Sequence, residues 1–185
     1  MKILLVNNHS KHLSELLNKL KDVKVVDFKK LDLINYKKFD LIILSGGSSF
    51  SVKNHKEEYK KEIDLIKNSS RPILGICLGF ELIAYSFNEK LEKMAKKKKG
   101  SEKIKIISED QILKGLKKEF EVFEAHRWAV SKTKYLIPLA KSKNGIEIIR
   151  HPTKRIWGVQ FHPEISKEKG YVGKIINNFI KVALN

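Results

Sequence analysis

Short apolar runs alternate with amphipathic stretches through the first half of the chain. Four runs have the composition of buried strands: Ile3–Val6, Val23–Phe28, Asp40–Leu44 and Pro72–Ile76. Three further stretches place apolar residues at every third or fourth position, the spacing of a helix with one buried face: His12–Leu20, His55–Lys67 and Leu78–Phe87. Strands that alternate with helices predict a parallel sheet with helices on both of its faces.

The second half of the chain has a different pattern. Five strands follow one another with short turns between them: Ile104–Ile107, Glu119–Glu124, Leu136–Ala140, Ile146–Arg150 and Ile156–Phe161. A final amphipathic helix is predicted over Glu168–Leu184, and Lys93–Glu102 is the one segment expected to be loosely structured. We therefore expect a single α/β domain over residues 1–185, with an open, mostly parallel sheet and an added antiparallel part in the second half.

Composition and charge narrow the class of protein. No apolar run approaches the length of a membrane span, and the apolar start of the chain is too short for a signal peptide, so we expect a cytoplasmic protein. The formal net charge of +17 favours anionic partners such as nucleotides, nucleic acid or an acidic protein. The run Lys96–Lys99 has no interleaved aromatic residues, so we interpret it as a solvated loop and do not expect a nucleic-acid partner.

The single cysteine, Cys77, lies in the segment RPILGICLG. A buried strand leads into it, a helix follows, and Gly75 and Gly79 flank it, which is the strand–nucleophile–helix turn in a cysteine form. The helix N-terminus favours a thiolate, and backbone amides at the turn can stabilise an oxyanion. We predict Cys77 as a nucleophile and the N–H of Leu78 as one oxyanion donor. By itself, the pattern fits a buried structural cysteine equally well.

A second segment, GVQFHPE, places His162 at the end of an apolar strand and Glu164 two positions later. Side chains at i and i+2 of an extended segment point to the same side, so Glu164 can hold one ring nitrogen of His162 while the other faces a thiol. Alone, this motif would be interpreted as a strand-end histidine beside a solvated carboxylate. Together with the cysteine segment it predicts a triad of nucleophile, base and orienting carboxylate.

The third segment is the glycine-rich turn SGGS after the strand Asp40–Leu44. In a parallel sheet this turn lies at the same edge as Cys77, where ligand sites gather. The backbone of Gly46 and Gly47 can approach a substrate oxygen closely, and the N–H of Gly47 is our candidate for the second oxyanion donor. Without Cys77 nearby, a simple strand-ending turn would be the preferred interpretation.

Together, LILSGGS, PILGICLG and GVQFHPE resemble the three signature segments of the class I, or triad-type, glutamine amidotransferases, in the same order and over essentially the whole chain. The resemblance is nearest to the glutaminase subunits of GMP synthetase, in purine biosynthesis. It implies a flavodoxin-like fold and attack of Cys77 on the side-chain amide of glutamine. A thioester intermediate would follow, and the ammonia would pass to a synthetase partner. Neither a metal nor a cofactor is expected.

The resemblance also implies a substrate pocket, and there the chain departs from the family. The pocket residues would be Gly46, Gly47, Glu81, His126, Arg127 and Trp128. Glu81 occupies the position of a family glutamine, His126 keeps the family histidine, and Arg127 and Trp128 are unusual. A carboxylate accepts hydrogen bonds but cannot donate them unless it is protonated. The substrate is therefore glutamine or another γ-glutamyl compound.

Three functions remain open at this point. The first is a glutaminase that supplies ammonia to a separate synthetase, because 185 residues leave no room for an ATP-binding domain and no Walker motif occurs. The second is a free-standing γ-glutamyl hydrolase or peptidase with the same triad. The third is a non-catalytic regulatory paralogue, which the positive charge favours slightly and the intact triad disfavours.

Overall fold

A computed structural model of the chain describes residues 1–165 and 172–185. The strands are β1 (Ile3–Asn8), β2 (Val23–Asp27), β3 (Leu41–Gly47), β4 (Ile73–Ile76), β5 (Leu91–Ile106), β6 (Glu119–Val130), β7 (Ile137–Lys141), β8 (Ile146–Arg150) and β9 (Ile156–Val159). The α-helices are α1 (Leu13–Leu17), α2 (Lys60–Asn68), α3 (Leu78–Ser86) and α4 (Lys174–Leu184). Neither described range contains a helix with both the length and the apolar character that crossing a bilayer requires.

The strands form one sheet in the order β2-β1-β3-β4-β9-β8-β7-β5-β6. The first five strands in this order, β2-β1-β3-β4-β9, pair in parallel. With β9 as the fifth strand, they have the 2-1-3-4-5 order of a flavodoxin-like sheet. The remaining pairs are antiparallel. The predicted parallel sheet with an antiparallel addition is thus confirmed. Because β4 lies between β3 and β9, the three segments that follow these strands meet at one edge of the sheet.

Helices cover both faces of the parallel strands, as predicted. Ile3 and Leu5 of β1 face a cluster that includes apolar residues of α1 and α4, whereas Leu4 and Val6 face a cluster that includes those of α2 and α3. Burial on both faces explains why these strands are continuous apolar runs in the sequence, since each alternate side chain also enters a core.

The prediction of a loosely structured segment over Lys93–Glu102 was wrong. This segment belongs to β5, which pairs antiparallel with β6 on both sides of a register shift between Lys93 and Lys98. The run Lys96–Lys99 is therefore part of a strand and not a solvated loop. Backbone hydrogen bonds hold this segment in the sheet while most side chains of Lys93–Glu102 stay exposed, so the apolar pattern gave no strand signal.

Several predicted boundaries also differ from the structure. The strand expected over Glu119–Glu124 continues to the end of β6, so that Trp128 lies within a strand. The helix expected from His55 begins only with α2, after a series of turns. The last helix begins with α4, and its predicted start at Glu168 lies outside the described residues.

Three buried polar residues, Asn8, Ser45 and Glu62, form a hydrogen-bonded group next to the glycine turn. The backbone N–H of Asn8 donates to Ser45 Oγ (2.9 Å), and its side-chain Nδ2 donates to Ser45 O and to Glu62 Oε1, both at 3.1 Å. Glu62 of α2 is fully buried, and this burial raises its pKa from the ordinary 4.5 to about 8, which the hydrogen bond from Asn8 only partly offsets. The carboxyl group is therefore neutral at physiological pH.

The replacement Glu62→Gln is expected to stabilise the protein at alkaline pH. Between about pH 4.5 and 8 the folded chain keeps a proton on Glu62 that the unfolded chain releases, so this group makes stability fall as pH rises. The variant lacks that fall, and its free energy of unfolding should exceed that of the wild type by roughly 5 kcal/mol at pH 9, because the pKa in the folded chain lies about 3.5 above its ordinary value. Urea denaturation at several pH values measures the difference. The exposed Glu58→Gln is the control, and parallel curves for wild type and Glu62→Gln would contradict the assignment.

Candidate active site

The turn at Cys77 has the predicted strand–turn–helix form. Cys77 is the N-cap of α3 with φ +52° and ψ −100°, a strained conformation for a residue with a side chain. Its N–H donates to Val159 O of β9 at 2.8 Å. A Cβ on Gly75 would lie 2.4 Å from Gly79 O, and one on Gly79 would lie 2.5 Å from Leu44 O. Both glycines are therefore required by close backbone packing.

His162 and Glu164 form a buried pair just beyond β9. Each residue is only 4% exposed, and His162 Nδ1 lies 2.8 Å from Glu164 Oε1. The backbone N–H of His162 donates to Phe123 O at 2.9 Å, which fixes the segment against β6, and the ring of His12 packs edge-on against the imidazole. Because Nδ1 is held by the carboxylate, Nε2 is the ring nitrogen left for a reacting group.

The turn and the pair converge on Gly46. A Cβ on this glycine would lie 2.9 Å from Cε1 of His162 and 3.5 Å from Cβ of Cys77. The imidazole and the cysteine therefore flank the same backbone position, at the same edge of the sheet. The structure thus brings together the three residues expected to form a triad, although they are far apart in the chain.

Two adjoining cavities open at Cys77. The larger, of about 220 Å³, is bordered by five of the six residues expected to line a substrate pocket: Gly47, Glu81, His126, Arg127 and Trp128. The smaller, of about 60 Å³, extends to His12 and His162. The sixth expected residue, Gly46, lies between the cysteine and the imidazole. Cys77 borders both cavities and lies where they meet.

The residues that carry the predicted oxyanion donors, Gly47 and Leu78, both border the larger cavity beside Cys77. Gly47 ends β3 in a place where a Cβ would lie 2.2 Å from Asn8 O and 2.8 Å from Leu78 Cδ2, so only a glycine allows this approach. Leu78 is the first residue of α3, and its backbone N–H donates a hydrogen bond to the sulfur of Cys77. Both backbone amides belong to residues that border the larger cavity.

The electrostatic environment keeps the cysteine protonated at rest. Burial raises the pKa of the Cys77 thiol well above its usual range, and the carboxyl groups of Glu81 and Glu164 raise it further. The N–H of Leu78 and the charge of Lys97 act in the opposite direction without cancelling the effect of burial. A nucleophilic reaction at this sulfur therefore needs a base that removes the proton.

Glu81 occupies the wall of the larger cavity as a neutral acid. It lies one turn after Cys77 in α3 and is buried, and this burial raises its pKa from 4.5 to about 8. The side chain of Gln160 lowers this pKa, but it offsets the effect of burial only in part. At neutral pH the carboxyl group carries its proton, so it can donate a hydrogen bond as the side-chain amide of a glutamine does.

Sequence reasoning missed the role of Lys97 in this site. Lys97 lies within the register shift of β5 and borders both cavities, so it adds a second positive charge to the larger cavity, which Arg127 of β6 also borders. The lysine run was visible in the sequence, but only strand pairing shows which of its members faces the cavity. Trp128, which also borders the larger cavity from β6, has the ammonium of Lys53 5.9 Å from its ring centre.

The fold and the site define a class I glutamine amidotransferase, and residues 4–182 match the family model for glutamine amidotransferase class-I. The chain belongs to this family, as its three motifs indicated. One relative, from Methanosarcina barkeri, is named as a subunit of glutamine-hydrolyzing GMP synthase. It is 34% identical over 190 residues, which span 98% of the chain and 96% of the relative. The corresponding protein of Pyrococcus abyssi is 37% identical over 146 residues, which are 76% of the chain and 74% of the relative.

Solved structures share the same fold. A Thermoplasma acidophilum protein described as belonging to GMP synthase superimposes with a TM-score of 0.88 at 25% identity, over 100% of the chain and 94% of that protein. A glutamine amidotransferase from Thermotoga maritima superimposes with a TM-score of 0.76 at 17% identity, over 98% and 81% of the two chains. The flavodoxin-like sheet with its antiparallel addition is therefore the fold of this family.

Proposed function

We propose that this chain is the glutaminase subunit of a GMP synthase-like enzyme, formed by residues 1–185 as one domain. It hydrolyses the side-chain amide of glutamine and supplies the ammonia to a separate synthetase. The observation that carries this proposal is the strained cysteine turn beside a buried His–Glu pair. The relatives named as subunits of glutamine-hydrolyzing GMP synthase support the substrate and the division of labour between two polypeptides.

In the first half of the reaction, His162 Nε2 takes the thiol proton while Sγ of Cys77 attacks the amide carbon. The high pKa of the buried thiol means that little thiolate exists beforehand, so proton removal accompanies the attack. Glu164 stabilises the imidazolium through Nδ1. The N–H groups of Gly47 and Leu78 bind the oxyanion. The imidazolium then protonates the leaving nitrogen, ammonia departs, and a γ-glutamyl thioester remains on Cys77.

In the second half, His162 removes a proton from water, and the resulting hydroxide attacks the thioester carbon. The carbon–sulfur bond breaks, the sulfur regains its proton from the imidazolium, and glutamate leaves. The positive charges of Lys97 and Arg127 at the larger cavity suit the α-carboxylate of the amino acid. The neutral carboxyl of Glu81 can donate to a substrate oxygen without repelling that carboxylate.

The test is glutamate release from glutamine by the purified chain, first by itself and then together with the candidate synthetase and its other substrates. We expect slow hydrolysis by the isolated chain and faster hydrolysis in the complex. The synthetase mixed with the Cys77→Ala chain is the control, and it should form product only when ammonia is added. Equal turnover with and without every candidate synthetase would contradict the role as an ammonia-supplying subunit.

A free-standing γ-glutamyl hydrolase is the second candidate, and Glu81, Arg127 and Trp128 are the observations that favour it. These residues border the cavity at positions where the chain departs from the family pattern. A substrate panel of glutamine, γ-glutamyl amines and γ-glutamyl peptides separates the candidates. The hydrolase predicts turnover of amines or peptides without a partner and little turnover of glutamine.

The replacement Glu81→Gln is expected to change the pH dependence of glutamine hydrolysis. Above about pH 8 the wild-type side chain loses its donor proton and becomes a buried anion, whereas the amide of the variant stays neutral. The ratio of kcat/KM for the variant to that for the wild type should rise about tenfold between pH 7 and pH 9. Initial rates at saturating and low glutamine give this ratio. A ratio that does not change with pH would show that Glu81 does not touch the substrate as a neutral acid.

The same variant tests the second candidate. If the wild-type chain prefers γ-glutamyl peptides, Glu81→Gln should shift the preference toward glutamine, because the family side chain is then restored. A preference that stays the same would remove the main support for a γ-glutamyl hydrolase. The exposed Glu121→Gln on β6 is the matched control for both experiments.

A further inference from the structure

A second cluster of ionisable side chains lies beside the wall of the larger cavity. Glu124 and His126 are two positions apart on β6 and therefore point to the same side of the strand, and Glu147 reaches the same place from β8. The three residues are 0%, 4% and 1% exposed. One ligand-type atom of each lies within 4.8 Å of the other two. The cluster thus joins two strands at a buried place next to the larger cavity.

The imidazole of His126 is oriented as a ligand. Its Nδ1 lies 2.8 Å from Trp128 O, and because a carbonyl oxygen can only accept, Nδ1 carries the hydrogen. In the neutral ring, Nε2 is then a bare lone pair, and it points into the cluster 3.3 Å from Glu124 Oε2. Metal-bound histidines typically donate their other ring N–H to a backbone carbonyl in this way.

Most of the other side-chain polar atoms of the cluster have no hydrogen-bond partner of good geometry among the described residues. Ser142 Oγ donates to Glu147 Oε1 at 2.7 Å, but Glu147 Oε2 has no hydrogen-bond partner among residues 1–165 and 172–185. The same holds, within those ranges, for both carboxyl oxygens of Glu124 and for Nε2 of His126. Buried polar atoms without partners are costly, and here one ligand-type atom from each of the three residues lies within 4.8 Å of the other two. A cation between these three atoms would give each of them a partner.

We propose that Glu124, His126 and Glu147 bind one divalent metal ion of the zinc class, with a fourth position for water. Zinc takes imidazole nitrogen and carboxylate oxygen in tetrahedral geometry, and bonds of about 2.0–2.2 Å place neighbouring ligands about 3.3 Å apart. Nε2 of His126 and Oε2 of Glu124 already have a separation of 3.3 Å. A dication also balances the charge of two buried carboxylates, which would otherwise repel each other.

The bound ion would fasten β6 to β8. Ala125, Arg127 and Trp128 of the same β6 segment border the substrate cavity, so an ion held by Glu124 and His126 fixes the strand that carries them. The metal has a positioning role in this arrangement and does not touch the substrate. This inference is independent of the proposed glutaminase activity, and its test uses metal binding as the readout.

The experiment titrates Zn²⁺ into the full chain after chelator treatment, in a Cys77→Ala background that removes the active-site thiol as a competing ligand. We expect one ion per chain by calorimetry in Cys77→Ala and in Cys77→Ala/Glu121→Gln, whose second change is exposed on the same strand. In Cys77→Ala/Glu147→Gln the affinity should fall about 100-fold or more, since even indirect partners of a metal site cost 10–100-fold. X-ray absorption of the zinc-loaded chain should show nitrogen and oxygen ligands with an imidazole.

Thermal unfolding separates lost binding from lost folding. In chelator, Cys77→Ala/Glu147→Gln should unfold at the same temperature as its parent or higher, because one of two adjacent buried carboxylates is neutralised. Zn²⁺ should raise the unfolding temperature of the parent but not of this variant, and Glu124→Gln in the same background should behave likewise. The proposal would be overturned by equal Zn²⁺ affinity in the Glu121→Gln and Glu147→Gln chains, or by the absence of binding to the parent. Bound protons would then be what neutralises the carboxyl groups of the cluster.

Discussion

Replacing Cys77 by alanine is expected to lower kcat for glutamine hydrolysis by about 10⁴-fold or more, because the thioester cannot form without the sulfur. The remaining hydrogen-bond donors still bind the amide, so KM should change far less than kcat. Glutamate release in a coupled assay measures the loss. A glutamine-derived electrophile should label the wild-type chain with a stoichiometry of one and leave the variant unlabelled. Cys77 is the only cysteine of the sequence, so no other thiol contributes background.

The controls for this variant address folding and inertness. Alanine meets the same strain at a φ of +52° as cysteine does, so the two chains should unfold at similar temperatures. Residual activity within tenfold of the wild type would exclude Cys77 as the nucleophile. A wild-type chain that is neither labelled nor able to hydrolyse any γ-glutamyl compound, alone or with a synthetase, would instead identify a regulatory paralogue.

The replacement Glu164→Gln is expected to lower kcat by roughly 10³-fold with little change in KM. The carboxylate accepts the hydrogen on His162 Nδ1 at 2.8 Å and stabilises the imidazolium that forms during the attack. An amide can present its NH₂ group to Nδ1, which favours the opposite tautomer and places the hydrogen on the nitrogen that must take the thiol proton. Steady-state kinetics at saturating glutamine measure the effect.

The exposed Glu121→Gln is again the matched control, since it makes the same chemical change outside the site. A Glu164→Gln chain that keeps wild-type kcat would show that the orientation of His162 does not depend on this carboxylate. The backbone bond from His162 to Phe123 O and the packing of His12 would then be the features that hold the ring.

The fold, and the meeting of Cys77, His162 and Glu164 at one edge of the sheet, could be predicted because each follows from local patterns. The strands β1, β3 and β4 are apolar runs that enter two cores, and a parallel sheet necessarily brings the segments after β3, β4 and β9 to one edge. The flanking glycines of Cys77 and the two-residue spacing of His162 and Glu164 supplied the remaining geometry. Each motif depends on residues that are close in the chain, and the parallel sheet brings the motifs together.

Other features depend on contacts between distant segments and left no such pattern. The ribbon of β5 and β6 is held by backbone pairing, so the strand nature of the lysine run and the place of Lys97 in the cavity were hidden. The protonation of Glu81 follows from its burial, which the sequence does not state. Glu124 and Glu147 come together only because β6 and β8 approach each other in the folded antiparallel part, and no local pattern in the sequence shows that approach.

Because Gly46 packs against the ring of His162, a mutation at this position would have a genetic consequence. A single methyl group there would lie 2.9 Å from the His162 ring, which Glu164 holds in place, so Gly46→Ala would displace the imidazole while leaving the outer surface of the protein intact. On the proposed function, such a chain would still bind the synthetase but would supply no ammonia to it. A cell that expressed both alleles would then hold part of its synthetase in inactive complexes, and the variant would act as a dominant inhibitor.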